Sequence, residues 1–301
     1  MSKINSVDIK KSNYIKGLIS IIISAFCFAT IGTFGILIFK GGANPITLLI
    51  GRFAIATIML FCTIFIWNRK LFQINKKDIK WFVLSGLILF GQLITYWYGL
   101  NIVKSVAIQY GLFFTYPIWI AVLSTLILKE KIKKIIPLCI FIGSLGILLI
   151  LGIIPNGVSF VPIGGIILGL LTAFIWSLYY FSNQFLIKKY NAFTILFYNF
   201  LFVFLACIFL QPISITISQL SLNVLWYLLA IGFISTYLSY LFLQYALKFN
   251  GSIIASIHNM ILPVLAVLLA FIVLNQSMTI FQILGTIIII FNIYLLSKRG
   301  E

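Results

Sequence analysis

Acidic residues are almost missing from this 301-residue chain: Asp8, Asp78, Glu130 and Glu301 are the whole set, against 21 lysines and arginines. All four fall outside the long apolar runs, so no carboxylate stands within one to carry a proton or bind sodium. Histidine occurs once, as His258. One histidine with no acid near it in sequence gives no support to a His–carboxylate catalytic cluster or a metal centre. The four cysteines, Cys27, Cys62, Cys139 and Cys207, have no CxxC spacing, which argues against a metal ribbon or a disulfide framework. They read as small buried hydrophobes. No cofactor is expected. Charged residues make up 8% of the chain, where soluble domains average about 25%, so a water-soluble fold is excluded.

What is present is apolar. Hydrophobic residues reach 62% and mean hydropathy is +1.19, more apolar surface than a soluble core of this length can hide. The chain reads as an all-α polytopic membrane protein whose immediate partner is the lipid bilayer. A net charge of +17 points toward nucleic acid in a soluble protein. Here the basic residues occupy short segments between apolar runs, so no nucleic-acid partner is expected and the charge sets membrane orientation instead. Residues 1–16 are polar and basic, lack a small-residue cleavage site, and read as a tail leading into a retained first span.

About 20 apolar residues span the hydrocarbon. Ten runs qualify, at 17–39, 45–67, 80–101, 105–128, 132–152, 163–187, 192–211, 224–247, 251–274 and 279–297. With the amino terminus inside, eighteen cations fall in cytoplasmic segments, among them Lys70, Lys131, Lys133, Lys189 and Lys248. Lys40 and Lys104 alone fall on the other side, and Arg52 lies within a span. That asymmetry follows the positive-inside rule and puts both termini in the cytoplasm.

The two halves repeat. Gly17–Gly32 pairs with Gly165–Tyr180, so that Ala25-Phe26 falls on Ala173-Phe174 and Phe28 on Trp176. Tyr98-Gly99-Leu100 answers Tyr245-Ala246-Leu247, and Pro117 in the fourth run answers Pro263 in the ninth. Five spans is an odd number, so the copies cross the membrane in opposite senses: two inverted five-helix repeats, 1–152 and 153–301. These motifs, with Arg52 and the Leu128-Lys129-Glu130 turn, resemble the ten-span EamA-like branch of the drug/metabolite transporter superfamily over nearly the whole chain. The second half reads Asn275-Gln276 where the first half has Glu130, a change expected of a turn on the other side of the membrane. The resemblance implies transport of a small organic metabolite, favouring amino-acid or metabolite export. The glutamate that small four-span relatives use in their first span has no counterpart in 17–39.

Polar residues inside the spans mark the candidate site. Gln92, Thr95, Tyr96 and Gly99 share one helical face of the third span. Gln109, Phe113 and Tyr116 do so in the fourth, Trp176, Tyr180 and Asn183 in the sixth, Tyr237, Tyr240 and Gln244 in the eighth, and Ser252, Ser256 and Asn259 in the ninth. Groups this deep need protein or a water-filled cavity around them, so these faces, with Phe28, are expected to converge on a substrate cavity. Arg52 is open to two readings, a structural arginine bonded within the bundle or a counter-charge for a substrate carboxylate. His258 is likewise a helix–helix hydrogen bond or a substrate contact. Small residues at Gly165, Gly169, Ala173 and Ser177 predict close helix packing. Pro117 and Pro263 free carbonyls one turn earlier and are expected to hinge their spans. The function expected is alternating-access transport in the cell membrane, with no enzymatic chemistry. A non-transporting membrane scaffold or a lipid-modifying enzyme are the competing readings, and monomer or homodimer is left open.

Overall fold

The computed structural model describes residues 2–103, 105–127, 129, 131–156, 161–274 and 277–299. Lys104, Leu128, Glu130, Asn275, Gln276 and Glu301, which entered the charge count and the turn motif, lie outside the described residues. Among the described residues the regular structure is helical and there is no strand. The first half holds α1 (Ser2–Lys40), α2 (Pro45–Trp67), α3 (Ile79–Val103), α4 (Val106–Phe113), α5 (Tyr116–Ile127), α6 (Ile135–Ile150) and the short α7 (Ile153–Asn156). The second holds α8 (Ile163–Leu186), α9 (Ala192–Leu210), α10 (Ile213–Ser218) and α11 (Leu222–Gly232), then a π-helical segment, Phe233–Leu238. α12 (Ser239–His258), a 3-10 turn at Asn259–Ile261, α13 (Leu262–Leu274) and α14 (Ile280–Arg299) complete it.

This is a polytopic all-α membrane protein. Eight described helical stretches are long and apolar enough to cross a bilayer, and α6 is a shorter apolar helix. One of the eight, Leu222–Val273, is 52 residues long, about 78 Å if straight, and is broken at Gly251, whose φ of 73° favours glycine. Large apolar side chains such as Ile66, Phe209 and Leu126 stand exposed; around a bundle of this composition that surface faces lipid. The polar, basic lead-in is helical: α1 starts at Ser2 and runs unbroken into the first span. Nothing between Ser2 and Lys16 is a proline or glycine that would stop it.

Helix packing exchanges cleanly between the halves. α3 lies on α8 and its counterpart α12 lies on α1; α4 and α5 pack on α8 as α13 packs on α1. Two pairs map onto themselves, α2 with α9 and α6 with α14. Both pairs are antiparallel. Asn44, before α2, donates from Nδ2 to Gln211 at the end of α9 (2.7 Å), while Thr194, at the start of α9, donates to the Leu71 carbonyl beyond the end of α2 (2.7 Å). Equivalent helices therefore run in opposite senses, as an inverted repeat requires. The α6–α14 crossing depends on glycine: a Cβ on Gly285 would stand 2.6 Å from the Gly146 carbonyl oxygen. The small-residue stripe of α8 serves the same purpose, with Gly169 against Leu112 and Ala173 and Ser177 fully buried.

Both ends of the bundle are tied. At the Lys40 end, Asn44 caps α2 by accepting from the Thr47 amide (2.8 Å), and the Thr47 hydroxyl donates to Gln219 (2.7 Å). At the other end, Lys189 and the Tyr190 hydroxyl both donate to the Asp78 carboxylate, joining the connections on either side of the seam.

Candidate functional site

Where α1, α3, α4, α8 and α12 meet, the side chains leave a cavity of about 110 Å³. The first half contributes Phe28 and Ile31 from α1, Arg52 from α2, Gln92, Leu93, Tyr96 and Trp97 from α3, and Tyr110 and Phe113 from α4. Trp176, Tyr240, Asn259 and Leu262 come from the second. Its walls are an aromatic box. Phe28 meets Tyr240 edge-on at 4.9 Å between centroids and Trp176 at 6.5 Å, while Phe113 lies 6.0 Å from Trp176 and 6.4 Å from Tyr96.

The cavity's charge is Arg52, which is 4% exposed. Its Nε donates to Thr236 Oγ1 at 3.0 Å, and its guanidinium carbon sits 5.1 Å from the Phe53 ring centre. Thr236 is available because the chain is π-helical there: its hydroxyl donates back to the Ile231 carbonyl five residues earlier (2.9 Å). Among the described residues Arg52 has no carboxylate partner, and its terminal nitrogens make no further hydrogen bond. Two other polar atoms of the wall are buried without a partner, the Trp176 indole N–H and the Asn259 side-chain oxygen.

Beneath the box lies a hydrogen-bonded floor. Asn259 donates from Nδ2 to the hydroxyls of Tyr116 (3.1 Å) and Tyr180 (3.5 Å), and the Tyr116 hydroxyl donates to the Ser256 carbonyl (3.3 Å). Both prolines stand beside this floor. The fourth predicted span is broken between α4 and α5, and the ninth is broken by the 3-10 turn before α13. Pro117 and Pro263 are each the second residue of the helix that restarts, where a missing N–H costs nothing. The expected kink is thus an interruption in each half.

Eight expected residues line the cavity: Phe28, Arg52, Gln92, Tyr96, Phe113, Trp176, Tyr240 and Asn259. Tyr116 and Tyr180 form the floor instead. Gln109 turns to α3, its amide against Gly99 and 3.4 Å from the Tyr96 carbonyl. Asn183 sits a turn below Tyr180 in a buried polar knot, donating to Ser85 (3.3 Å) and accepting from Asn199 (3.3 Å) and Gln244. Tyr237 points at α2, where its hydroxyl meets Thr63 at 3.2 Å. A π turn uses about one residue more than an α turn, so Tyr237 and Tyr240 do not share a face. His258 is fully buried on the far side of α12, its Nε2 3.1 Å from the Tyr14 hydroxyl, which donates to Ser297 (3.0 Å). It is a contact between α1, α12 and α14. Tyr110, Trp97 and Thr236 were missed; the break after Phe113 and the π segment, which bring Tyr110 and Thr236 in, leave no mark in an ideal helical wheel.

The comparisons with known proteins agree with this architecture. A family model described as the EamA-like transporter family matches residues 15–152 and again 163–298. An uncharacterized transporter of Clostridium kluyveri is 25% identical over 91% of this chain and 91% of its own length. The uncharacterized transporter YoaV of Bacillus subtilis is 25% identical over 81% of this chain and 84% of its own. One of Archaeoglobus fulgidus is 27% identical over 85% and 90%. A solved crystal structure superposes with a TM-score of 0.78 over 95% of this chain and 98% of that one at 15% identity, a likeness of fold.

Proposed function

From a chain that belongs to the EamA-like transporter family, we infer a carrier of a small organic metabolite, an amino acid or a compound related to one, working by alternating access. The observation that supports this reading is the placement of the cavity. It lies on the seam between two antiparallel repeats, each of which supplies part of its wall. Rocking one repeat against the other about such a seam exposes a fixed site to each side in turn. Its lining suits an organic solute: apolar and aromatic surface for the body, and a few buried polar groups for orientation. We further propose ten spans, a cell-membrane location, cytoplasmic termini and export as the working direction.

Reconstitution of the purified chain into proteoliposomes, with a radiolabelled panel of amino acids and related metabolites and with or without a pH gradient, tests the carrier. Uptake of at least one compound above empty liposomes is expected; none across the panel overturns it. A scaffold would show no ligand-dependent thermal stabilisation in detergent. A lipid-modifying enzyme would instead turn over lipid in the same vesicles without moving any solute.

A further inference from the structure

Two separate spaces along the seam carry positive charge. One is the central cavity, where Arg52 presents unpaired terminal N–H groups. The other is a pocket of about 210 Å³ toward the Asp78 end, walled in part by Lys131, Lys133, Gln184, Asn250 and Ser252. One contact chain connects them. Asn259 of the cavity donates to the Tyr180 hydroxyl, and the Tyr180 carbonyl accepts from Ser252 of the second pocket at 3.5 Å. No described carboxylate lines either space. A buried guanidinium with free donors favours an anion over a neutral molecule and opposes a cation. The unpaired Trp176 N–H, on the same cavity wall, adds a neutral donor. An ammonium group would find aromatic faces here, at the cost of sharing a small cavity with Arg52.

We propose that the substrate is an organic anion, a small carboxylate with an apolar body, whose carboxylate is held by Arg52 in the central cavity and meets Lys131 in the second pocket. This rests on the transporter reading above. Among compounds related to amino acids it selects the deaminated or N-blocked acids over the zwitterions. It also accounts for a path without an acid to relay protons. In a cell with a negative interior a monovalent anion leaves downhill, by about 50-fold for each 100 mV, so export needs no proton coupling.

The test uses the full chain in proteoliposomes with an imposed potassium-diffusion potential. The probes are two matched sets: phenylpyruvate, phenylalanine and phenylalaninamide, and 3-methyl-2-oxobutanoate, valine and valinamide. The oxo-acids are expected to move with net negative current that reverses with the potential. Arg52→Gln is expected to lower the ratio of oxo-acid to amide transport by about tenfold or more, with Arg52→Lys retaining part of it. Transport of zwitterions or amides while the oxo-acids stay inert overturns the anion assignment and leaves the carrier intact. An unchanged ratio in a folded Arg52→Gln protein overturns the role of Arg52. Failure of all six probes overturns the anion assignment, and the carrier reading falls as well only if the wider panel above is also inert.

Discussion

Removing one oxygen from the floor should loosen the seam between the halves in a measurable way. Tyr116→Phe keeps the ring, which packs 5.3 Å from Phe113 and 5.6 Å from Tyr180 between centroids. It deletes the hydroxyl that accepts from Asn259 at 3.1 Å and donates to the Ser256 carbonyl at 3.3 Å. Each such bond is worth about 0.5–1.5 kcal/mol net, so the pair holds α5 to the α12–α13 junction with roughly 1–3 kcal/mol. At about 1.4 kcal/mol per decade, separation of these helices becomes some 5- to 150-fold more populated if the bonds exist only in the closed arrangement. A reporter cysteine at Ser252, which lines the pocket beneath the floor, reads this out once Cys62, the exposed native thiol, is replaced. Labelling by a membrane-impermeant maleimide should accelerate by that factor in Tyr116→Phe. Asn259→Leu should behave similarly, because it also removes the donor to Tyr116. An unchanged labelling rate in a protein with unchanged thermal stability would refute the idea that this floor closes the cavity.

Three further expectations concern the scaffold. Thr236→Val strands the buried Arg52 Nε and should lower stability in detergent by about 1–3 kcal/mol, with Thr236→Ser close to wild type; thermal unfolding of the three proteins decides it. Gly285→Ala drives a methyl into the Gly146 carbonyl and should cost about 1–3 kcal/mol, whereas Gly164→Ala, with open space at its Cβ, should cost much less. Lys189 and Tyr190 hold the Asp78 carboxyl below its ordinary range. A depressed carboxyl contributes above its unfolded value, near 3.9, and the contribution fades as pH falls through the folded value. Unfolding temperatures measured from pH 7 down to 3 should therefore converge between wild type and Asp78→Asn at the acid end. A constant gap across that range would contradict the coupling.

The spans could be read from the sequence because each is an apolar run near bilayer length, a signal that depends on composition alone. The repeat could be read because Pro117 and Pro263 stand at matching places, and the structure puts both at the restart of an interrupted helix. Cavity residues were legible where the helix is regular. Gln92 and Tyr96, four apart on α3, both reach the cavity. They were lost where it is not. Tyr237 lies inside the six-residue π segment and Tyr240 just beyond it, and α4, which ends at Phe113, turns Tyr110 into the wall and leaves Gln109 against Gly99. His258, in the helix–helix contact that was one of its two readings, shows another limit. An amphipathic face says which residues avoid lipid, without saying whether they meet a cavity or, as here, a neighbouring tyrosine.

The exchange of partners between halves bears on how the molecule is made. α3 finds its main partner in α8 and α12 finds its own in α1, so neither half can complete its packing from its own helices. The ribosome delivers the first repeat well before α8 exists, and until then α3 has only lipid or a chaperone against the face meant for Thr172, Ile175 and Ser182. The two repeats are then interlocking fragments of one fold. Produced as separate polypeptides in the same membrane, they should reassemble, and either produced alone should be cleared by proteolysis.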